Sequence, residues 1–210
     1  MDFCNKKSLA FEARLIISES AANLYNIVNR TVCCVNGNKL NITTTYWSAI
    51  GAKNNDATIT IKNGTMTSTG NSAGTWNAWD LRFSNCNYVF EDVVFEKAVA
   101  LDNVGKSTLM NNVTITDNHD EDTYGLWITA EGQTVTLNNC TIDMLPASDG
   151  RGIKIDNQYV AAADEKKVTL NVTNVTFKTD EKAAILVKST AGAEINASEL
   201  NISAVAADTE

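Results

Sequence analysis

The sequence predicts an all-β chain folded as a parallel β-helix of about six to seven rungs, with an N-terminal helical segment ahead of it. Three observations lead there: an unusual composition, a repeat, and the side-chain parity around the centre of that repeat. The 210 residues include 25 Asn and 24 Thr but only 11 Gly and 1 Pro. Thr is β-branched and suits strands, whereas Asn is depleted from them, so this much Asn implies Asn recurring at special turns.

The repeat is centred on a polar residue. Asn63 stands within Ile61-Lys62-Asn63-Gly64-Thr65-Met66, and its equivalents are Asp92, Asn112, Asn139, Asn174 and Glu199. Their surroundings match: Phe90-Glu91-Asp92-Val93-Val94-Phe95, Met110-Asn111-Asn112-Val113-Thr114-Ile115 and Leu137-Asn138-Asn139-Cys140-Thr141-Ile142 are three of them. Successive anchors are 29, 20, 27, 35 and 25 residues apart, and a period of about 20–50 residues marks stacked units. Apolar residues fall two before, one after and three after most anchors. These are two period-2 stretches whose phase changes at the anchor, so a chain that bends there keeps both strands facing one interior. Asn suits such a bend because it tolerates left-handed backbone and hydrogen-bonds locally. Stacked at about 4.7–4.8 Å, such side chains also bond one another along the axis.

In chain order, the first 34 residues differ from the rest. Residues 6–30 read as a helix, with Phe11, Leu15, Ala22, Leu24, Ile27 and Val28 loosely at helical spacing. Two early Lys precede an apolar stretch too short for a signal peptide. Residues 1–34 are therefore expected to be a helical cap or an atypical leader, and 35–210 the β-helix domain. Gly37-Asn38-Lys39-Leu40-Asn41-Ile42 reads as a weaker first copy, with Ile42 in the place of Met66. Each later copy carries a further strand whose inward residues are Leu81/Phe83, Val99/Leu101, Leu126/Ile128, Ile153/Ile155 and Ile185/Val187. The rival is an antiparallel sandwich, weakened because Asn36-Gly37 and Asn63-Gly64 fall at the bends rather than in hairpins. An open coil end exposes a strand edge, so the chain is expected to be a fragment or to meet a partner at its last rung.

The strings Thr134-Val135-Thr136-Leu137-Asn138-Asn139-Cys140-Thr141-Ile142 and Val168-Thr169-Leu170-Asn171-Val172-Thr173-Asn174-Val175-Thr176-Phe177 resemble the repeats of pectin-lyase-like right-handed parallel β-helices in bacterial surface proteins. The resemblance covers about residues 35–207. It implies a right-handed coil and a cell-surface or extracellular location. It also implies one of several roles: polysaccharide lyase, glycoside hydrolase, adhesin or stalk. It specifies fold more strongly than function.

Several motifs bear on chemistry. Ala100-Leu101-Asp102-Asn103-Val104-Gly105-Lys106-Ser107 is similar to the phosphate loop of GTP-binding proteins. A helix should follow such a loop, however, and a strand pattern follows here, so Gly105, Lys106 and Ser107 are read as a coincidental turn. Arg151-Gly152-Ile153-Lys154 resembles the Arg-Ile-Lys element of polygalacturonases with a Gly inserted, but the carboxylate pair that glycoside hydrolysis needs has no counterpart. Similarity to pectate lyases would add a Ca²⁺ cluster with a basic residue. The outward positions on the central strands are instead mixed: Asp80, Arg82, Ala98, Ala100, Asp102, Trp127, Lys154, Asp156, Leu186 and Lys188. The plain expectation for such a face is a solvated surface.

Asp117-Asn118-His119-Asp120-Glu121-Asp122 reads as an acidic loop, open to Ca²⁺ but without the register of an EF-hand. Trp47, Trp76 and Trp79 belong to the first rungs, with Trp76 on a loop where it can contact a ligand. Nine Asn-x-Ser/Thr sequons follow from the repeat, and those at anchors are expected to clash with the coil if glycosylated. Cys140 reads as a small buried apolar side chain.

The net charge of −8 argues against nucleic acid. One His cannot build a multi-His metal site, and no apolar run reaches the roughly 20 residues of a membrane span. The resulting expectation is a non-catalytic β-helix module of a surface protein, a stalk or an adhesive surface for glycans or a host or cell-surface protein. Its ligand residues are expected to be Trp76, Arg82, Trp127 and Lys154. No catalytic or metal residue is assigned, and Ca²⁺ is the only cofactor considered. A polysaccharide lyase or glycoside hydrolase is the alternative, and nucleotide binding through Ala100 to Ser107 the remote one.

Overall fold

The computed structural model describes residues 30–35, 37–42, 50–51, 56–68, 80–117, 124–146, 150–156, 166–179, 182–189 and 191–204. Among them the chain is all-β, without helix, and no helix is long and apolar enough to cross a membrane. The helix expected over residues 6–30 lies outside the described residues except for Arg30, which opens a strand.

The first copy contributes β1 (Arg30–Cys34), β2 (Lys39–Asn41) and β3 (Ile50–Gly51). The second holds β4 (Thr58–Thr67) and β5 (Asp80–Ser84), and the third β6 (Asn87–Phe95) and β7 (Ala98–Asp102). The fourth has β8 (Ser107–Asn111), β9 (Thr114–Thr116) and β10 (Tyr124–Ile128). The fifth has β11 (Thr134–Asn138), β12 (Thr141–Asp143) and β13 (Arg151–Ile155). The sixth has β14 (Val168–Thr179) and β15 (Ile185–Val187), and β16 (Ala193–Ala204) comes last. Every pairing is parallel and joins a strand to its counterpart one copy on, from β1 with β4 to β14 with β16. The result is a ten-stranded and a six-stranded sheet, the latter in the order β15-β13-β10-β7-β5-β3. Parallel pairing between successive copies is compatible with a β-helix and excludes the antiparallel sandwich.

The anchors are the bends. Asn63, Asp92, Asn112, Asn139, Asn174 and Glu199 have φ of 57, 54, 54, 53, 51 and 55°. Left-handed backbone costs an ordinary L-residue roughly 1–2 kcal/mol, and Asn or Asp lowers that cost with short polar side chains that bond locally. The anchor amides are satisfied across copies: Asn112 N–H donates to Asn138 O at 2.9 Å and Asn139 N–H to Thr173 O at 3.0 Å. Side chains ladder at two steps. Asn174 Nδ2 donates to Asn139 Oδ1 at 2.8 Å, and Asn112 Nδ2 to Asp92 Oδ1.

The first copy corrects one expectation. Leu40, not Ile42, lies opposite Met66. The bend over Val35 to Asn38 holds two more residues than later ones, because Gly37 supplies the left-handed position at φ 75° and Asn38 N–H closes a turn onto Val35 O at 3.0 Å. That wider bend also explains Gly64, which stands where later copies carry Val93, Val113, Cys140 and Val175. A Cβ at Gly64 would lie 2.4 Å from the Val35 Cβ.

The parity rule holds through the interior. Ile61, Phe90, Met110, Leu137 and Val172 form one buried file, and Met66, Phe95, Ile115, Ile142 and Phe177 another. The third wall is Leu81/Phe83, Val99/Leu101, Leu126/Ile128 and Ile153/Ile155, all buried. Each such side chain contributes about 1.5–3 kcal/mol when fully buried. Aromatic rings concentrate in the second and third copies. Phe83 meets Tyr88, Phe90 and Phe95 edge-on, with centroids 5.3, 5.0 and 5.9 Å away.

Candidate ligand face on the six-stranded sheet

Register brings the expected ligand residues into one file. Arg82 on β5 pairs with Ala100 on β7, Ala100 with Trp127 on β10, Trp127 with Lys154 on β13, and Lys154 with Leu186 on β15. Strands lie about 4.8 Å apart, so Trp127 and Lys154 are immediate neighbours. Trp76 lies outside the described residues.

The face is not the solvated surface expected. Arg82 and Ala100 are each 0% exposed and Lys154 is 7% exposed, while Trp127 is half-buried. Alternation along a strand fixes the direction a side chain takes but not what lies over it. Arg82 is therefore enclosed, and its charge reaches a ligand only through Trp127.

The chemistry is that of cations held against aromatic rings. Lys154 Nζ sits 4.7 Å from the ring centroids of both Tyr124 and Trp127. Its remaining partner is Asp156 Oδ2, at 2.9 Å. The Arg82 guanidinium lies 5.5 Å from the Trp127 centroid and that of Arg151 5.6 Å from Tyr124. All four distances fall within the roughly 6 Å at which a cation is attracted by the ring quadrupole, worth about 0.5–2 kcal/mol each according to desolvation. Burial pushes the Tyr124 phenol up, and the Asp156 carboxylate adds to the shift, so the ring stays neutral beside the ammonium. Trp127 Nε1 is buried and has no hydrogen-bond partner. A buried donor left unpaired costs about 1–3 kcal/mol, so an acceptor oxygen delivered there would be gained at little expense.

Tyr124 went unrecognised in the sequence because it follows an acidic loop and belongs to no repeat position. The readable signal was its register with Arg151, which needs the loop lengths to be known.

The other motifs resolve as architecture. The Gly-Lys-Ser string is a turn between β7 and β8, with Gly105 at φ 63°. β8 begins at Ser107, where a phosphate loop requires a helix N-terminus. Ser107 N–H donates to Asn87 Oδ1 at 2.9 Å, and Lys106 Nζ reaches Asp56 Oδ1 at 3.2 Å. Of the acidic loop, Asp117 is buried; its Oδ2 accepts from Ala98 N–H at 3.1 Å, and its Oδ1 lies 3.5 Å from Lys97 Nζ. Residues 118–123 lie outside the described residues, and so do Trp47 and Trp79. Cys140 is buried and free. Burial pushes its thiol up against the lowering effect of nearby backbone. The anchor sequons correct another expectation: Asn112, Asn139 and Asn174 are exposed on the outside of the bend, not pressed into the coil.

No family model matches the chain, and no curated protein or solved structure is significantly similar to it.

Proposed function

We propose that the chain is a right-handed parallel β-helix of the pectin-lyase-like kind, acting without catalysis as an adhesive module of a cell-surface protein. Its ligand class is glycan bearing carboxylate or sulfate groups. The observation that carries this reading is the group of Trp127, Tyr124, Lys154 and Arg151 on adjacent strands. An aromatic ring flanked by cations suits a sugar ring with an anionic substituent: the ring supplies a stacking surface and the cations meet the charge. The unpaired Trp127 Nε1–H adds a donor for a hydroxyl or carboxylate oxygen. Asp156 is tied to Lys154 at 2.9 Å, which favours binding over acid–base work by that carboxylate. The surface location rests on the repeat resemblance.

A glycan array that includes uronate- and sulfate-bearing glycans tests the reading, with Trp127→Ala alongside. Binding weakened by roughly tenfold in the variant is expected, from one lost stacking contact and one lost hydrogen bond. An array without hits sinks the glycan-binding reading. Release of unsaturated uronide from a bound polymer in the presence of Ca²⁺ sinks the non-catalytic one.

A further inference from the structure

The two ends of the stack differ in what they leave unpaired. At one end β16 pairs only with β14, and its other edge is open among the described residues. Ile195, Leu200 and Ile202 on it are 40, 37 and 56% exposed, whereas their neighbours one copy back, Leu170, Val175 and Phe177, are fully buried. The exposure is the interior of the stack seen in cross-section. β16 carries neither Pro nor Lys, the residues that commonly blunt a free edge. At the other end β1 and β2 pair only with β4 among the described residues.

Charge separates the ends. Residues 30–42 hold Arg30 and Lys39 and no acid; residues 193–204 hold Glu194 and Glu199 and no base. The register makes this specific. Ser107, Thr134, Thr169 and Glu194 form one file, and Asn87, Thr58 and Arg30 continue it to the far end. A further rung laid on β16 in the same register, and built like the first, would set Arg30 against Glu194. The apolar files close in the same way. Ile202 shares its file with Phe177, Ile142, Ile115, Phe95, Met66 and Leu40, and Ala197 shares its own with Val172 and, at the far end, Ile61 and Cys33.

We propose that copies of this chain stack end to end, β16 of one pairing in parallel with β1 and β2 of the next. Glu194 then meets Arg30 of the next copy, and Ile202 meets its Leu40. The contact is head to tail, so it does not close on itself, and it lengthens an adhesive rod instead of forming a dimer. It is independent of the glycan reading: a chain that stacks need not bind sugar, and the reverse holds too.

The test uses the full chain in sedimentation velocity and light scattering over a concentration series. The wild type is expected to grow beyond two copies, less so at high salt, because exposed charge pairs are screened. Glu194→Lys alone and Arg30→Glu alone each place like charges at the junction, and each is expected to weaken association by roughly tenfold. An equimolar mixture of the two single variants restores opposite charges at every junction and is expected to recover growth, as is the double variant in one chain. Far-UV circular dichroism checks that each variant is folded; Glu194 is exposed and tolerates the change. A constant monomer mass overturns the proposal. So does assembly that stops at two copies, which means a tail-to-tail contact, or association indifferent to both reversals.

Discussion

Replacing Asn139 isolates what the bend requires of its residue. At φ 53° the backbone is left-handed, which costs Ala about 1–2 kcal/mol. The Asn139 Oδ1 also accepts from Asn174 Nδ2 at 2.8 Å, a bond worth about 0.5–1.5 kcal/mol net. Asn139→Ala loses both and is expected to destabilise by about 1.5–3 kcal/mol. Asn139→Gly keeps the conformation and loses only the bond, so it should be about 1 kcal/mol milder than Ala once the greater freedom of unfolded Gly is counted. Asn139→Asp keeps an acceptor and is expected to be nearly neutral, because Asp92 fills the same role one step away in the ladder and accepts from Asn112. Urea unfolding followed by tryptophan fluorescence measures all three, with equal slopes required before midpoints are compared. The expected order is wild type and Asp, then Gly, then Ala. Equal stability of Gly and Ala would refute the argument, since it would mean that the left-handed backbone carries no cost there.

Two further outcomes follow from close packing and from burial. Gly152→Ala puts a Cβ 2.2 Å from the Ala184 carbonyl oxygen and 2.7 Å from Phe177 Cδ1, whereas Gly105 has open space around it and only its φ to oppose a side chain. In thermal melts Gly152→Ala should therefore lower the midpoint well beyond Gly105→Ala, and equal losses would show that the sheet shifts to accept the methyl. Tyr88 is buried with its hydroxyl 2.9 Å from the carbonyl oxygens of Ile50 and Ser84, and burial, then Cys86, push its phenol well above the usual value. Below about pH 10 both folded and unfolded forms are protonated and stability is full; above it the unfolded phenol ionises first and stability falls toward the folded pKa. Tyr88→Phe should cost about 0.5–1.5 kcal/mol at neutral pH and flatten that alkaline fall, which unfolding curves between pH 9 and 11 will check.

The bends were legible in the sequence because left-handed backbone selects for Asn and Asp, and those residues stand out among β-branched neighbours. The interior was legible for the same kind of reason: period-2 alternation fixes which way Phe90, Leu137 or Ile153 points. The first copy was misregistered by two residues because Gly37 does there what Asn does later, and a Gly carries no side chain to reveal the pattern. The ligand face was half legible. Parity placed Arg82, Trp127 and Lys154 on one side, but loop lengths from 20 to 35 residues between equivalent hydrogen-bonded side chains hide which strand positions coincide. Tyr124 and Arg151 emerge only once register is known, and the burial of Arg82 depends on what covers the strand, which alternation does not encode.

The rings gathered round Phe83 have a consequence for how the chain assembles itself. Each copy touches only the copies before and after it, so order can start at any point and spread by neighbours. Loops of similar length make every step close to equal in closure entropy, since doubling a loop adds only about 0.6 kcal/mol. The starting point is then set by where neighbouring copies grip hardest, and that is the aromatic junction of the second and third. Structure spreads outward from it, reaches β16 late, and is lost there first on unfolding. Pulse-labelled hydrogen exchange reads that sequence of events directly, with amides of β6 protected before those of β16.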